Sequence, residues 1–234
     1  MPLAGGIEAM GFQCGQLWGA ALAAGAQAHR LYGPGPQAQA AAVAAAQRLI
    51  ARFTASYQSI NCLDVTGLNW KKAKTAEFIG YFLKGGVFKC FFMSANYARA
   101  ARSEMDAIFS GGRIEAPAPP VSCAALLAEK MGASDQHQVM AAGFAGGIGL
   151  SGGACGALGA AIWLIEMSQI QKDGGKFVFQ RPEAEAAINR FVESTAIEFE
   201  CAKIVGRKFA DVADHAAYLR AGGCAKVIAA LAAV

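Results

Sequence analysis

Two cysteine-bearing, glycine-rich stretches match each other in one register, and this constrains the chain more than any other feature. One reads Gly5-Gly6-Ile7-Glu8-Ala9-Met10-Gly11-Phe12-Gln13-Cys14-Gly15-Gln16-Leu17. The other reads Gly146-Gly147-Ile148-Gly149-Leu150-Ser151-Gly152-Gly153-Ala154-Cys155-Gly156-Ala157-Leu158. With Cys14 laid on Cys155, the residues Gly5, Gly6, Ile7, Gly11, Gly15 and Leu17 all meet their own kind. Self-similarity at a fixed offset marks a duplicated structural unit.

The correspondence continues downstream. Arg52-Phe53 precede Cys62 as Arg190-Phe191 precede Cys201, and Gly67 and Gly206 follow those cysteines at equal spacing. Tyr81, Gly85-Gly86 and Cys90 answer to Tyr218, Gly222-Gly223 and Cys224. The last cysteine is shifted by nearly one helical turn, so its thiol can keep its direction. Cys123 has no partner in the first copy, which reads as a copy truncated at its start. We therefore expect two homologous helical bundles in one all-α chain, packed in pseudo-two-fold fashion. The first unit is placed at residues 1–109 and the second at 122–234. A Pro/Gly-rich linker without periodicity joins them at 110–121.

Composition supports helices. Hydrophobic residues make up 55% of the chain, and much of this is alanine, the best helix former. Strand-like runs of β-branched and aromatic residues are scarce. The periodicity predicts helices near 13–28, 37–56, 71–82 and 88–109. In the second unit it predicts short helices capped by Ser122 and by Ser134 or Asp135, then helices over 155–171, from Pro182 toward Cys201, over 212–220, and around Cys224. Residues 64–67 read as a turn. Gly11, Gly15 and Gly19 recur every four residues, as on one helix face that another backbone approaches.

Several function classes fall away. A net charge of +4 is too mild for a nucleic-acid partner. Lys71, Lys72 and Lys74 read as a solvated helix start. No basic leader precedes Leu3, and seven cysteines without one point to the cytoplasm and reduced thiols. Residues 138–165 carry no charge and are long enough to span a bilayer. Their glycines break the run, so a deeply buried core segment is expected and no membrane partner. Gly147-Ile148-Gly149-Leu150-Ser151-Gly152 spells G-x-G-x-x-G, but a helix precedes it, Glu166 follows too closely, and Glu8 replaces the second glycine in the sister copy. His29, His137 and His215 are scattered and read as surface or boundary residues. Glu198 and Glu200 flank Cys201 and read as solvent-facing, with a mixed ligand set as the alternative.

The chemistry-bearing residues are the cysteines. The second unit offers Cys123, Cys155, Cys201 and Cys224 from four segments, and three of these positions recur as Cys14, Cys62 and Cys90. Four thiolates satisfy an iron–sulfur cluster of the [2Fe–2S] or [4Fe–4S] type, or a zinc ion. Amides around Gly152, Gly153 and Gly156 are candidate donors to such an anionic group. The first unit's three cysteines would need a fourth ligand from a partner subunit, water or an acidic residue. Metal-free thiol–disulfide chemistry, structural zinc in an interaction protein, and plain buried cysteines are the alternatives.

Cys123, the core Ala154-Cys155-Gly156-Ala157-Leu158-Gly159, Cys201 and Cys224 resemble the C_GCAxxG_C_C family of redox-active proteins. The core matches the looser Cys-Gly-Ala-x-x-Gly form, because Gly156 intervenes after the cysteine. The resemblance covers 123–230 and, in degenerate form, 5–109. It implies cluster binding or thiol redox work, with a redox partner protein and room for a homo-oligomer. A related module accompanies haem in split-Soret cytochromes; no Cys-x-x-Cys-His motif occurs here, so haem does not carry over.

Overall fold

The protein is described by a computed structural model covering residues 2–112, 114–175 and 181–233. Among these residues twelve helices follow in chain order: α1 (Gly15–Tyr32), α2 (Pro36–Tyr57), α3 (Cys62–Thr66), α4 (Thr75–Leu83), α5 (Gly86–Ser110), α6 (Cys123–Lys130), α7 (Asp135–Ala142), α8 (Gly156–Lys172), α9 (Pro182–Thr195), α10 (Cys201–Val205), α11 (Val212–Arg220) and α12 (Ala225–Ala232). No strand is present among them; only two isolated antiparallel bridges occur. The repeat is visible in the order: α1 to α5 correspond to α8 to α12, and α6 with α7 precede the second copy.

Each copy opens with a left-handed turn. Gly5 to Ala9 have φ between +47° and +79°, and Gly146 to Leu150 between +54° and +82°. L-residues resist this conformation by about 1–2 kcal/mol each, and branched Ile7 and Ile148 suit it least. Both isoleucines are nevertheless fully buried. Long-looped backbone bonds close the turns: Glu8 N–H to Pro2 O at 2.7 Å and Gly11 N–H to Gly5 O at 2.9 Å, with Gly149 to Gly143 and Gly152 to Gly146 both at 2.9 Å. Gly6 and Gly147 occupy the tightest point. A Cβ there would enter the backbone of Phe12 or Gly153, so no other residue fits.

Helix ends follow local chemistry. Ser122 caps α6 by accepting from Ala125 N–H at 3.2 Å, and Ser134 caps α7 by accepting from His137 N–H at 3.3 Å. Pro36 and Pro182 open α2 and α9 at the position where a missing N–H costs nothing. Residues 64–67, expected as a turn, belong to α3 and its left-handed cap Gly67. The helix expected from residue 71 begins at Thr75, because Lys74 is its cap and Glu77 reaches back to the Lys74 N–H at 2.9 Å.

The two helical copies expected from the sequence are present and pack on each other around one continuous buried core that runs from Leu3 to Leu231. Helix α1 lies against α2 and α7, and α8 lies against α6 and α9. Gly25 is the reason α1 and α7 approach so closely, since a Cβ there would meet the backbone of Val139 and Met140. The expected face of Gly11, Gly15 and Gly19 does not form: Gly11 lies ahead of α1 with φ +86°, and nothing approaches Gly19 within 4 Å. Phe12 stacks on Phe199 at 5.0 Å and Trp18 meets Phe144 edge-on at 4.7 Å. The fully buried Gln13 side chain donates to Gly147 O and Ala154 O, both at 3.1 Å. It thereby ties the first copy to the turn of the second.

Replacing Gln13 by Leu removes both donors and leaves Ala154 O buried and unmet. We expect a loss of about 2 kcal/mol, read as a lower urea midpoint at unchanged m-value. Gly147→Ala should be more damaging, because the turn cannot close.

Candidate thiol site

The left-handed turn ends at an antiparallel bridge, and the bridge sets two cysteines side by side. In the first copy Gln13 pairs with Asn61, and in the second Ala154 pairs with Glu200. The next residues are Cys14 and Cys62, and Cys155 and Cys201. Their backbones are locked across the bridge: Cys14 N–H to Ile60 O at 2.8 Å, Cys62 N–H to Phe12 O at 2.7 Å, and Cys155 N–H to Phe199 O and Cys201 N–H to Gly153 O at 2.7 Å each. Cys14 and Cys155 are the caps of α1 and α8, while Cys62 and Cys201 begin α3 and α10. Both thiols of each pair therefore sit at helix N-termini, where partial positive charge favours an anion.

In the second copy Cys123 joins from the start of α6 and Cys224 from the cap of α12. The four sulfurs are close enough that ionising one opposes the others. Cys201 is pushed up first by burial and then by Cys155, Cys123 and Cys224. Cys224 is raised by burial, Cys123 and Cys155. Burial and Cys123 push the Cys155 thiol up to about 12. Backbone N–H groups act the other way: those of Leu158 and Ala157 at Cys155, and those of Gly146 and Ala124 at Cys123. The Gly152 and Gly153 amides, expected as donors to a bound group, instead close the turn on Gly146 O at 2.9 Å and Ser151 Oγ at 3.4 Å. Gly156 is required for packing, since a Cβ there would overlap Phe144 O.

In the first copy Cys14, Cys62 and Cys90 come together in the same way. Burial, with smaller contributions from Cys62 and Cys90, pushes Cys14 up to about 11. The Trp70 indole N–H is buried, meets no hydrogen-bond partner of ordinary geometry among the described residues, and lies beside the Cys62 sulfur, whose thiolate it favours. Tyr81 was visible in the sequence only as a repeat marker. Its hydroxyl stands 3.1 Å from Cys90 Sγ and 2.9 Å from Gly86 O. Its ring covers Gly86 as the Tyr218 ring covers Gly223, and a Cβ at either glycine would enter the ring. Tyr218 feels the charges of Cys224 and Cys201. Burial keeps both phenols protonated, with pKa values raised. Cys90 and Cys224 are the half-buried members of their groups, and the other five thiols are buried.

The remaining candidates lie elsewhere. His215, expected near the surface, is buried against Phe209, with Nδ1 3.0 Å from Val121 O; burial lowers its pKa. His137 packs on Trp163. Glu198 folds onto its own backbone, accepting from Phe199 and Glu200 N–H at 2.8 and 2.9 Å, and Glu200 pairs with Lys203 at 3.2 Å. Glu166 forms a buried ion pair with Arg181 at 3.3 Å. All seven cysteines are free thiols. Among the described residues no three His, Cys, Asp or Glu side chains converge on one ion position. A zinc ion with Zn–S bonds of about 2.3 Å would draw its thiolates to roughly 3.8 Å from one another, so a single-ion site is not preformed.

The sequence profile described as "Putative redox-active protein (C_GCAxxG_C_C)" matches residues 1–101 and 121–234. The chain belongs to this family. It carries two copies of the family's unit, and the family's description gives it a redox role. No curated protein and no solved structure matches the chain. Among the described residues no single helix is long and apolar enough to cross a membrane; the uncharged run is α7, the left-handed turn and the buried start of α8.

The raised thiols fix a pH dependence. A group whose folded pKa exceeds its unfolded value stabilises the fold below the unfolded value and loses that contribution as pH rises toward the folded one. For Cys155 this window runs from about 9 to about 12. The metal-free protein should therefore lose stability as pH rises from 9 to 11. Cys155→Ser should flatten that slope in urea titrations.

Proposed function

We propose that the second copy holds an iron–sulfur cluster through Cys123, Cys155, Cys201 and Cys224, and that the protein works as an electron carrier or redox protein. The observation that carries this reading is three buried thiols and the half-buried Cys224, each opposing ionisation of the others, with backbone N–H groups turned toward Cys123 and Cys155. A thiol at a pKa of about 12 is a poor nucleophile at neutral pH, because the thiolate is the reactive form. This weighs against metal-free thiol–disulfide exchange as the main activity. Cys123, Cys155, Cys201 and Cys224 would give up their protons on loading, because the positive charge of iron would compensate the thiolates.

When bound, the cluster would supply one-electron redox chemistry. The chain's own residues divide the remaining work. Backbone N–H groups at Cys123 and Cys155 stabilise negative charge on sulfur, burial excludes water, and half-buried Cys224 with Tyr218 marks the edge nearest solvent. The first copy, with Cys14, Cys62 and Cys90, forms a three-thiol version of the same arrangement.

Protein reconstituted anaerobically with iron and sulfide should be brown, with acid-labile sulfide and a visible charge-transfer band. Cys155→Ser or Cys201→Ser should remove most of the iron, whereas Cys62→Ser should leave the second copy's share. Colourless protein without bound iron or sulfide overturns the reading. Because loading displaces thiol protons, apparent affinity should rise with pH, and lowering pH from 8 to 6 should bleach the band.

A further inference from the structure

The two copies differ most on the outer face of the tyrosine helices. Laid on each other through Tyr81–Gly86 and Tyr218–Gly223, Phe78, Ile79, Phe82 and Phe91 of the first copy correspond to His215, Ala216, Leu219 and Ile228 of the second. The second-copy residues are buried. The first-copy residues are exposed by 46%, 51%, 53% and 68% of their surface. The cover in the second copy is residues 118–130. Val121 O meets His215 Nδ1 at 3.0 Å, Ala118 O accepts from the Arg220 guanidinium, and α6 packs on α12. That same segment delivers Cys123 to the other three thiols. No described segment covers the equivalent face of the first copy, where α4 has no buried residue and the thiols number three.

An open face of this kind needs a specific occupant. Its apolar residues recur at helical spacing, with Phe78 above Phe82 on α4 and Phe88, Phe91 and Phe92 on the side of α5 opposite buried Met93, Tyr97 and Ala101. Lys71, Lys72, Lys74, Lys84 and Lys89 border it, with Glu77 as the one acidic residue from 71 to 99. The corresponding rim of the second copy carries Asp211 and Asp214 and lacks most of these lysines. Exposed apolar patches with a polar rim mark interaction sites, and complementary charge steers the partner. We propose that this face docks an acidic partner polypeptide through an apolar helix opening on a cysteine, chemically the counterpart of residues 118–130. The partner's thiol then joins Cys14, Cys62 and Cys90. The thiol half rests on reading the cysteines of each copy as one site.

A synthetic peptide spanning residues 118–131, with Lys130→Glu to add the acidic character, serves as the probe. Fluorescein-labelled peptide should bind the full-length, iron-free protein, at least ~10-fold more weakly at 500 mM than at 50 mM salt. The substitutions Phe78→Ser, Phe82→Ser and Phe91→Ser should abolish binding while circular dichroism shows an unchanged helical fold. Under diamide, two thiols are oxidised to one disulfide as diamide is reduced to its hydrazine form. The peptide cysteine should then cross-link to Cys14, Cys62 or Cys90 by mass spectrometry. No peptide binding, or binding with a cross-link to none of the three, overturns the proposal. So does flotation with phosphatidylglycerol vesicles, or a protein dimer in sedimentation, that the same three substitutions abolish. No iron or sulfide is present, so failure here is distinct from failure of the cluster reading.

Discussion

The structure depends on a backbone pairing that occurs twice. In each copy a left-handed turn delivers one residue into an antiparallel bridge, and the bridge holds two cysteines at adjacent helix starts. Five consecutive residues in that conformation are costly, and non-glycine side chains at several of these positions make them more so. The strain persists because six-back hydrogen bonds and deep burial over-determine the turn. Strain of this kind gathers where a site must be held in one geometry. Here it aims α1 and α8 so that Cys14 and Cys155 cap them and face their partners across the bridge.

Charge is the second constraint. Burial raises Cys14, Cys155 and Cys201, and the neighbouring sulfurs oppose their ionisation. Left alone, these three stay protonated and quiet. The amides at Cys123 and Cys155 and the indole of Trp70 beside Cys62 push in the opposite direction, toward a negatively charged sulfur. Under the cluster reading proposed above, a cationic centre would compensate the charge that these donors favour on sulfur. The phenols of Tyr81 and Tyr218 complete the outer edge in both copies.

Duplication has been used asymmetrically. The two helical copies pack around one core, and Gln13 of the first holds the turn of the second. In the second copy the segment 118–130 closes the site, with Ala118 and Val121 against α11 and α6 against α12. In the first copy the matching face is apolar, basic at its rim and open. The same helices therefore present a finished site in one half and an accessible one in the other.

The sequence by itself determined the repeat, the helical class and the grouping of the cysteines by copy, because glycine and cysteine positions recur at a fixed register while the alanines around them vary. It also placed the cap Ser122, narrowed the next cap to Ser134 or Asp135, and placed the start at Pro182, where local hydrogen bonding decides. Only the tertiary structure decided the rest. The glycine-rich stretch looked like an amide cradle, yet the Gly152 N–H closes the left-handed turn on Gly146 O and the Gly153 N–H goes to the Ser151 hydroxyl. The two carbonyl partners of Gln13 lie far along the chain, out of reach of any local pattern. His215 looked superficial because the segment that buries it comes from another helix pair. The exposed face of α4 and α5 had the same apolar pattern as a core helix, since periodicity reports which side is apolar and says nothing about what covers it.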